Sequence, residues 1–137
     1  MADLEKILIE KHIKPTAMRI LILDFLLVQS SAQSLTDMEL NMDHTDRVTL
    51  YRTIRTFEEN GLVHRIEDGS GVTKFAICSP ECSVAGHQDL HVHFYCTVCQ
   101  ETHCLPKVSV PEVSLPSFYI AKETQLIIKG ICGNCRT

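Results

Sequence analysis

The sequence predicts an α+β fold in two modules. Three features carry this: helix-spaced apolar residues up to residue 60, a switch to strand-like alternation after Gly61, and two C-x2-C pairs in the final third. At 137 residues, the chain has room for one medium domain or two very small ones. With 45% hydrophobic and 22% charged residues its composition is that of a globular protein, which excludes disorder and collagen-like repeats. No run approaches the roughly 18 apolar residues of a membrane span. The first residues include Asp3, Glu5, Lys6, Glu10 and Lys11, which leaves no room there for an apolar signal segment. The expectation is a cytoplasmic protein with reduced thiols and no membrane partner.

The elements follow in order. Asp3 caps a first helix carrying Leu4, Ile7 and Leu8, which Pro15 ends. Thr16 caps a second, from Ala17 to Val28, apolar on more than one face and therefore central. Ser34, with Asp37 three residues on, opens a short third helix through Leu40. Thr45 or Asp46 caps a fourth that runs to Asn60, with Gly61 as its C′ residue. Leu62 to Ile66 and Val72 to Ile77 then read as strands of a hairpin turning at Asp68-Gly69-Ser70-Gly71. Three or four helices and a hairpin match a winged helix-turn-helix, and equally a plain α+β domain with no DNA role. Residues 78–90 form a hinge without periodicity. Beyond it Leu90, Val92 and Phe94 alternate with His91, His93 and Tyr95, and Phe118 to Glu123 and Gln125 to Gly130 read as two further strands. Pro106, Pro111 and Pro116 exclude a long helix between them. The second module, residues 91–137, is too small to rely on its core alone, so metal or self-association should support it.

Seven Cys and seven His are the unusual counts. Cys96-x2-Cys99 and Cys132-x2-Cys135 are two knuckles, each of which turns a pair of thiolates toward one ion. Together they complete an S4 shell with no open position, the pattern of a structural Zn2+ site; a redox pair or an iron centre is the competing reading. Cys78, Cys82, Cys104, His64, His87, Asp89, His91 and His93 gather around the hairpin, the hinge and the first strand beyond it, and point to a second site. His91 and His93, two apart on a strand, share a face. A mixed imidazole and thiolate shell suits Zn2+ better than Fe2+ or Mn2+, although Asp89 offers an oxygen. Cys82, His87 and Asp89 are candidates for a third, weaker site.

At this point the chain resembles the ferric uptake regulator family of bacterial metal-responsive repressors over nearly its whole length. The resemblance is carried by Ile13-Lys14-Pro15-Thr16-Ala17-Met18-Arg19, Val48-Thr49-Leu50-Tyr51-Arg52, Asn60-Gly61-Leu62-Val63, the H-x-H-F run at His91 to Phe94, and the two knuckles. It implies an N-terminal winged helix-turn-helix (1–77), a hinge (78–90) and a small α/β dimerisation domain with a four-cysteine zinc site (91–137). It also implies a homodimer that binds double-stranded operator DNA when metal-loaded. Within the family the sequence looks most like the zinc-uptake regulators, whose regulatory ligands fall on His64, Cys78, His91, His93 and Cys104, five candidates for four places. Iron and peroxide sensors carry a histidine where this chain has Gln33 and a carboxylate where it has Ala76, and the places of a further sensory set are Val92 and Thr124. Sensing of iron or peroxide is the alternative within the family.

Net charge is −4, and residues 1–76 hold nine Lys/Arg against twelve Asp/Glu, so DNA binding has to rest on local placement. Residues 44–55 supply it, with three Arg against one Asp. On the fourth helix Val48, Ile54 and Phe57 should face the core, leaving Thr49, Tyr51, Arg52 and Arg55 toward solvent. Arg52 or Arg55 would pair with guanine or phosphate and Tyr51 would touch a thymine methyl, while Lys14, Arg19 and Arg65 would meet phosphates. The resemblance puts Tyr51 and Arg52 at DNA-contacting positions. One ion held by His64 and Cys78 of the wing and by His91, His93 and Cys104 of the second module would fix the reading head relative to the dimer; without it the hinge should allow many orientations. No H-E-x-x-H, H-x-E…C-x2-C or Ser/His/Asp pattern is present, so neither an enzyme nor a small-molecule substrate is expected. A metal-binding interaction module without DNA activity is the remaining rival.

Overall fold

The helices lead and the sheets follow, as the switch in period predicts. In the computed structural model residues 3–43, 45–77, 92–105, 111, 113–122 and 124–136 are described. The order is α1 (Leu4–Glu10), α2 (Ala17–Leu27), β1 (Gln33–Ser34), α3 (Leu35–Asn41), α4 (Arg47–Glu59), β2 (Val63–Glu67), β3 (Thr73–Ile77), β4 (Val92–Cys96), β5 (Thr102–Leu105) and β6 (Leu126–Gly130). The 78–90 hinge lies outside the described residues. Among those described, no helix is long and apolar enough to cross a membrane.

Each helix begins on a side chain that satisfies an orphan amide. Asp3, Thr16 and Asp46 accept from the N–H groups of Lys6, Arg19 and Thr49. Ser34 and Asp37 form a reciprocal capping box on α3. Two helices close with the same C-terminal motif. Gly61 (φ 77°) ends α4, with Leu62 N–H donating to the Phe57 carbonyl at 2.8 Å. His12 (φ 61°) does the same for α1, where Ile13 N–H reaches the Leu8 carbonyl at 2.8 Å. The expectation that Pro15 ends α1 is therefore corrected: the helix closes earlier, because Ile13 and Leu8 pack together in the core across the turn.

The N-terminal core joins Leu8, Ile22, Leu23, Leu26, Met38, Leu50, Ile54, Phe57, Val63 and Phe75. On α4 the buried positions are Leu50, Thr53, Ile54 and Phe57, an i, i+3, i+4, i+7 stripe. Val48, expected inside, is 56% exposed, because two residues from Leu50 is about 200° around the helix. Likewise α2 buries one face only; Leu21 and Leu27 lie at the surface.

The wing is an antiparallel sheet ordered β1-β3-β2, with His64 opposite Ala76 and Ile66 opposite Lys74. Its turn uses Gly69 (φ 87°) and Gly71 (φ 88°), conformations that suit glycine. The second sheet is ordered β5-β4-β6, antiparallel then parallel, with His93 opposite Cys104 and Tyr95 opposite Thr102. Facing residues fix how the sheets meet. Val63 and Phe75 look into the helical core, whereas His64, Ile66 and Lys74 look the other way, toward His93, Tyr95, Thr102 and Cys104. The wing sheet is thus covered on both faces, and Ile66 is fully buried.

Two expectations for the second module change. Phe118 to Glu123 is not a strand among its described residues: Phe118 has φ 73° and Tyr119 N–H turns back to the Pro116 carbonyl at 3.2 Å. The strand β5, unforeseen, supplies the antiparallel partner of β4 instead.

Candidate metal centres

Cys96 ends β4, Cys99 lies in the turn after it, and Cys132 and Cys135 occupy the turn after β6, which runs parallel to β4. The sheet therefore delivers both knuckles to one end. All four sulfurs lie within 4.8 Å of one another, and Cys99 Sγ is 3.9 Å from Cys132 Sγ. A tetrahedral S4 shell at about 2.3 Å from zinc has edges of about 3.8 Å, so the donors fit. Cys96 Sγ accepts the N–H of Cys132 at 3.4 Å and of Cys99 at 3.5 Å. Those amides hold its thiol down at about 6, whereas the neighbouring Cys132 thiol and burial push Cys135 up to about 12. Cys96 is thus readily ionised, whereas Cys135 becomes a thiolate only beside a cation.

His64 on β2 meets His93 on β4 and Cys104 on β5. His64 Nε2 lies 3.2 Å from His93 Nε2 and 3.6 Å from Cys104 Sγ. Ligands on one tetrahedral zinc would stand about 3.3 Å apart for two nitrogens and about 3.6 Å for nitrogen and sulfur. His64 is 3% exposed and His93 fully buried, so the donors face one another out of water. Three of the five expected ligands are thus brought together from both modules. Cys78 and His91, like Cys82, His87 and Asp89, lie outside the described residues.

On α4, Tyr51, Arg52 and Arg55 are exposed and Thr49 is half-buried. Arg55 Nε donates to Glu59 at 2.9 Å, and Arg65 pairs with Glu58 at 3.2 Å. Such exposed pairs are screened by water and cost little to open. Arg19 Nη1 donates to the Lys14 carbonyl at 2.8 Å, which places the two beside each other at the start of α2.

Sequence reasoning missed a further cluster. Lys74 and Asp68 are buried and paired at 3.0 Å, with Asp68 also accepting from the Thr102 hydroxyl and from Ser70 N–H. The only trace of it in sequence is a lysine on a strand otherwise apolar or half-apolar. Burial pushes the Asp68 carboxyl up, but the Ser70, Thr102 and Lys74 donors outweigh it and hold it at about 2, below the ordinary 3.8. A depressed carboxyl contributes stability that is full above about pH 4 and fades as pH falls toward 2. The stability gap between wild type and Asp68→Asn, measured by denaturant unfolding, should be about 2 kcal/mol and constant from pH 7 to 5, then narrow below pH 4.

Residues 10–127 match the model of the ferric uptake regulator family. The chain belongs to the ferric uptake regulator family. A curated relative, the ferric uptake regulation protein of Bordetella parapertussis, is 26% identical over 95 residues, which span 64% of this chain and 60% of that protein's length. Among solved structures, a zinc uptake regulator complexed with zinc and DNA superposes with a TM-score of 0.66 at 18% identity, covering 96% of this chain and 89% of the other. The Vibrio cholerae ferric uptake regulator gives 0.64 at 19% identity, over 95% and 100%. These likenesses show the fold, an N-terminal winged helix followed by a small α/β unit.

Proposed function

We propose that this chain is a zinc-sensing transcriptional repressor that binds a pseudo-palindromic operator as a metal-loaded homodimer in the cytoplasm. The observation that carries the reading is the meeting of His64 from the wing with His93 and Cys104 from the second sheet at ligand-to-ligand distances. Two imidazoles and a thiolate select Zn2+ over Fe2+ or Mn2+, and among the described residues no carboxylate joins the cluster. Cys78 or His91 would complete the set. Cys96, Cys99, Cys132 and Cys135 would hold a second, structural Zn2+. A Zn2+ at the regulatory set supplies, when bound, a cross-link between wing and C-terminal sheet. Residues 1–77 read DNA, 78–90 connect, and 91–137 dimerise. Val113, Leu115, Phe118, Tyr119 and Ile120 are exposed apolar residues in the single chain, a surface that a second copy would cover.

Two-fold symmetry then presents two copies of α4 to successive major grooves. Tyr51 and Arg52 would contact bases, Thr49 and Arg55 the adjoining backbone or bases, and Lys14 and Arg19 the phosphates. The zinc uptake regulator solved with zinc and DNA supports this mode of action. The test is a duplex selected from a random pool by zinc-loaded protein, then titrated with and without Zn2+ or Fe2+. Zn2+ should tighten binding by about 5- to 150-fold. Arg52→Ala should weaken the loaded complex by about 1–3 kcal/mol. Equal affinity with and without Zn2+, or a response to Fe2+ alone, would overturn the reading.

A further inference from the structure

The wing is fastened to the C-terminal sheet at a second point that contains no metal ligand. Lys74 Nζ, on β3, donates to Asp68 Oδ2 at 3.0 Å, to Thr102 Oγ1 at 2.9 Å and to the Gln100 carbonyl at 2.8 Å, and sits 4.9 Å from the centre of the Tyr95 ring. An ammonium has three protons, and all three are used. Asp68 and Lys74 belong to the wing, whereas Thr102, Gln100 and Tyr95 belong to the second module. Gln100 takes a left-handed conformation (φ 64°) directly after the Cys99 knuckle, which turns its carbonyl toward the ammonium. A buried ion pair adds little net stability, but it is highly selective for geometry. A rotated arrangement that kept the sheets in contact would leave the pair intact within the wing but buried without the Thr102 hydroxyl and the Gln100 carbonyl that complete its hydrogen bonds.

The spacing of this cluster from the metal ligands is what makes it consequential. Thr102 and Cys104 share one face of β5, and Tyr95 and His93 share the same face of β4. The two fastenings therefore lie about 7 Å apart along the strands. One fastening permits a pivot, and two fix the angle.

We propose that Lys74 is a positioning residue for DNA binding: with Asp68, Thr102 and the Gln100 carbonyl it forms an ionic latch that keeps the wing docked on the C-terminal sheet in metal-free protein, meaning protein with the four-cysteine centre loaded and the regulatory set empty. The metal then sets the pitch of a reading head that is already docked, in place of capturing one that swings freely on the hinge. The inference rests on the metal-responsive reading above and adds a metal-independent half to its switch.

Lys74→Met keeps the length of the side chain and removes the charge, and Asp68→Asn removes its partner. In the full-length dimer each should weaken Zn2+ binding at the His64, His93 and Cys104 set by about tenfold, because the metal then has to dock the wing unaided. Operator affinity at saturating Zn2+ should stay within about threefold of wild type, while metal-free affinity falls about tenfold, so that the zinc enhancement grows. The double variant should be no worse than the more affected single one, as expected of groups acting as a unit. Simple destabilisation would instead lower metal-free and zinc-loaded affinity together. Hydrogen exchange supplies a readout without DNA: β2 and β3 amides of metal-free wild type should be protected, and those of Lys74→Met should not. Unchanged Zn2+ affinity, enhancement and exchange would overturn the latch. A wild-type protein whose operator binding ignores Zn2+ would overturn the function proposed above while leaving the exchange result standing.

Discussion

His64→Ala should abolish the zinc dependence of operator binding and leave a folded dimer. His64 is the one described ligand that the wing contributes to the regulatory cluster, 3.2 Å from His93 and 3.6 Å from Cys104. Among the described residues its removal leaves two donors, both in the C-terminal module, too few to hold an ion that joins the two halves. The loss at saturating Zn2+ should reach the full coupling between metal and DNA, about 5- to 150-fold, with no change in metal content at the four-cysteine site. Binding isotherms with and without Zn2+, beside metal analysis of the purified variant, check both halves of the expectation. A variant that still tightens on DNA with Zn2+ would place the sensor elsewhere.

A larger effect is expected at the other centre. Cys96→Ser should abolish the dimer and unfold the C-terminal sheet. Cys96 is fully buried at the end of β4, and its sulfur receives two backbone N–H groups that pin both knuckles. Structural zinc in small modules is worth about 10–16 kcal/mol to the folded state, well beyond what three short strands supply. Sedimentation and circular dichroism should show monomer and lost strand signal. Addition of a chelator to wild type should reproduce both changes slowly. The contrast between the two variants, one silent to zinc and folded, the other unable to dimerise, separates the sensing role from the structural one.

Most of the N-terminal unit was legible because its signals are local. Caps such as Thr16, Ser34 with Asp37, and Asp46 act within four residues, and Gly61 announces its own left-handed turn. The knuckles were legible for the same reason, since two residues between thiolates is itself a geometric statement. What the sequence concealed depends on contacts far apart along the chain. His12 closes α1 in a conformation that favours glycine, and only the packing of Ile13 on Leu8 reveals why. The strand β5 is four residues long and exists because β4 needs a partner. Val48 is apolar but off the buried stripe, whose phase is set by Leu50 and its packing rather than by composition. The Lys74 and Asp68 pair had no periodic signature at all. Its partners, Thr102 and the Gln100 carbonyl, lie beyond the hinge, and one of them is main chain.

The parallel pairing of β4 with β6 carries a last consequence. It sets Cys96 beside Gly130, so that the chain between them leaves through β5 on one edge of β4 and returns through β6 on the other, finishing at the same end of the sheet. Closing a segment of that length costs about 3 kcal/mol of chain entropy in its logarithmic part, and no helix among the described residues spans the gap to offset it. A four-sulfur centre at the mouth of that excursion offsets this cost with binding free energy that exists only in the ordered state. The centre should therefore tolerate large changes in the composition of the excursion, and very little change in where its ends meet.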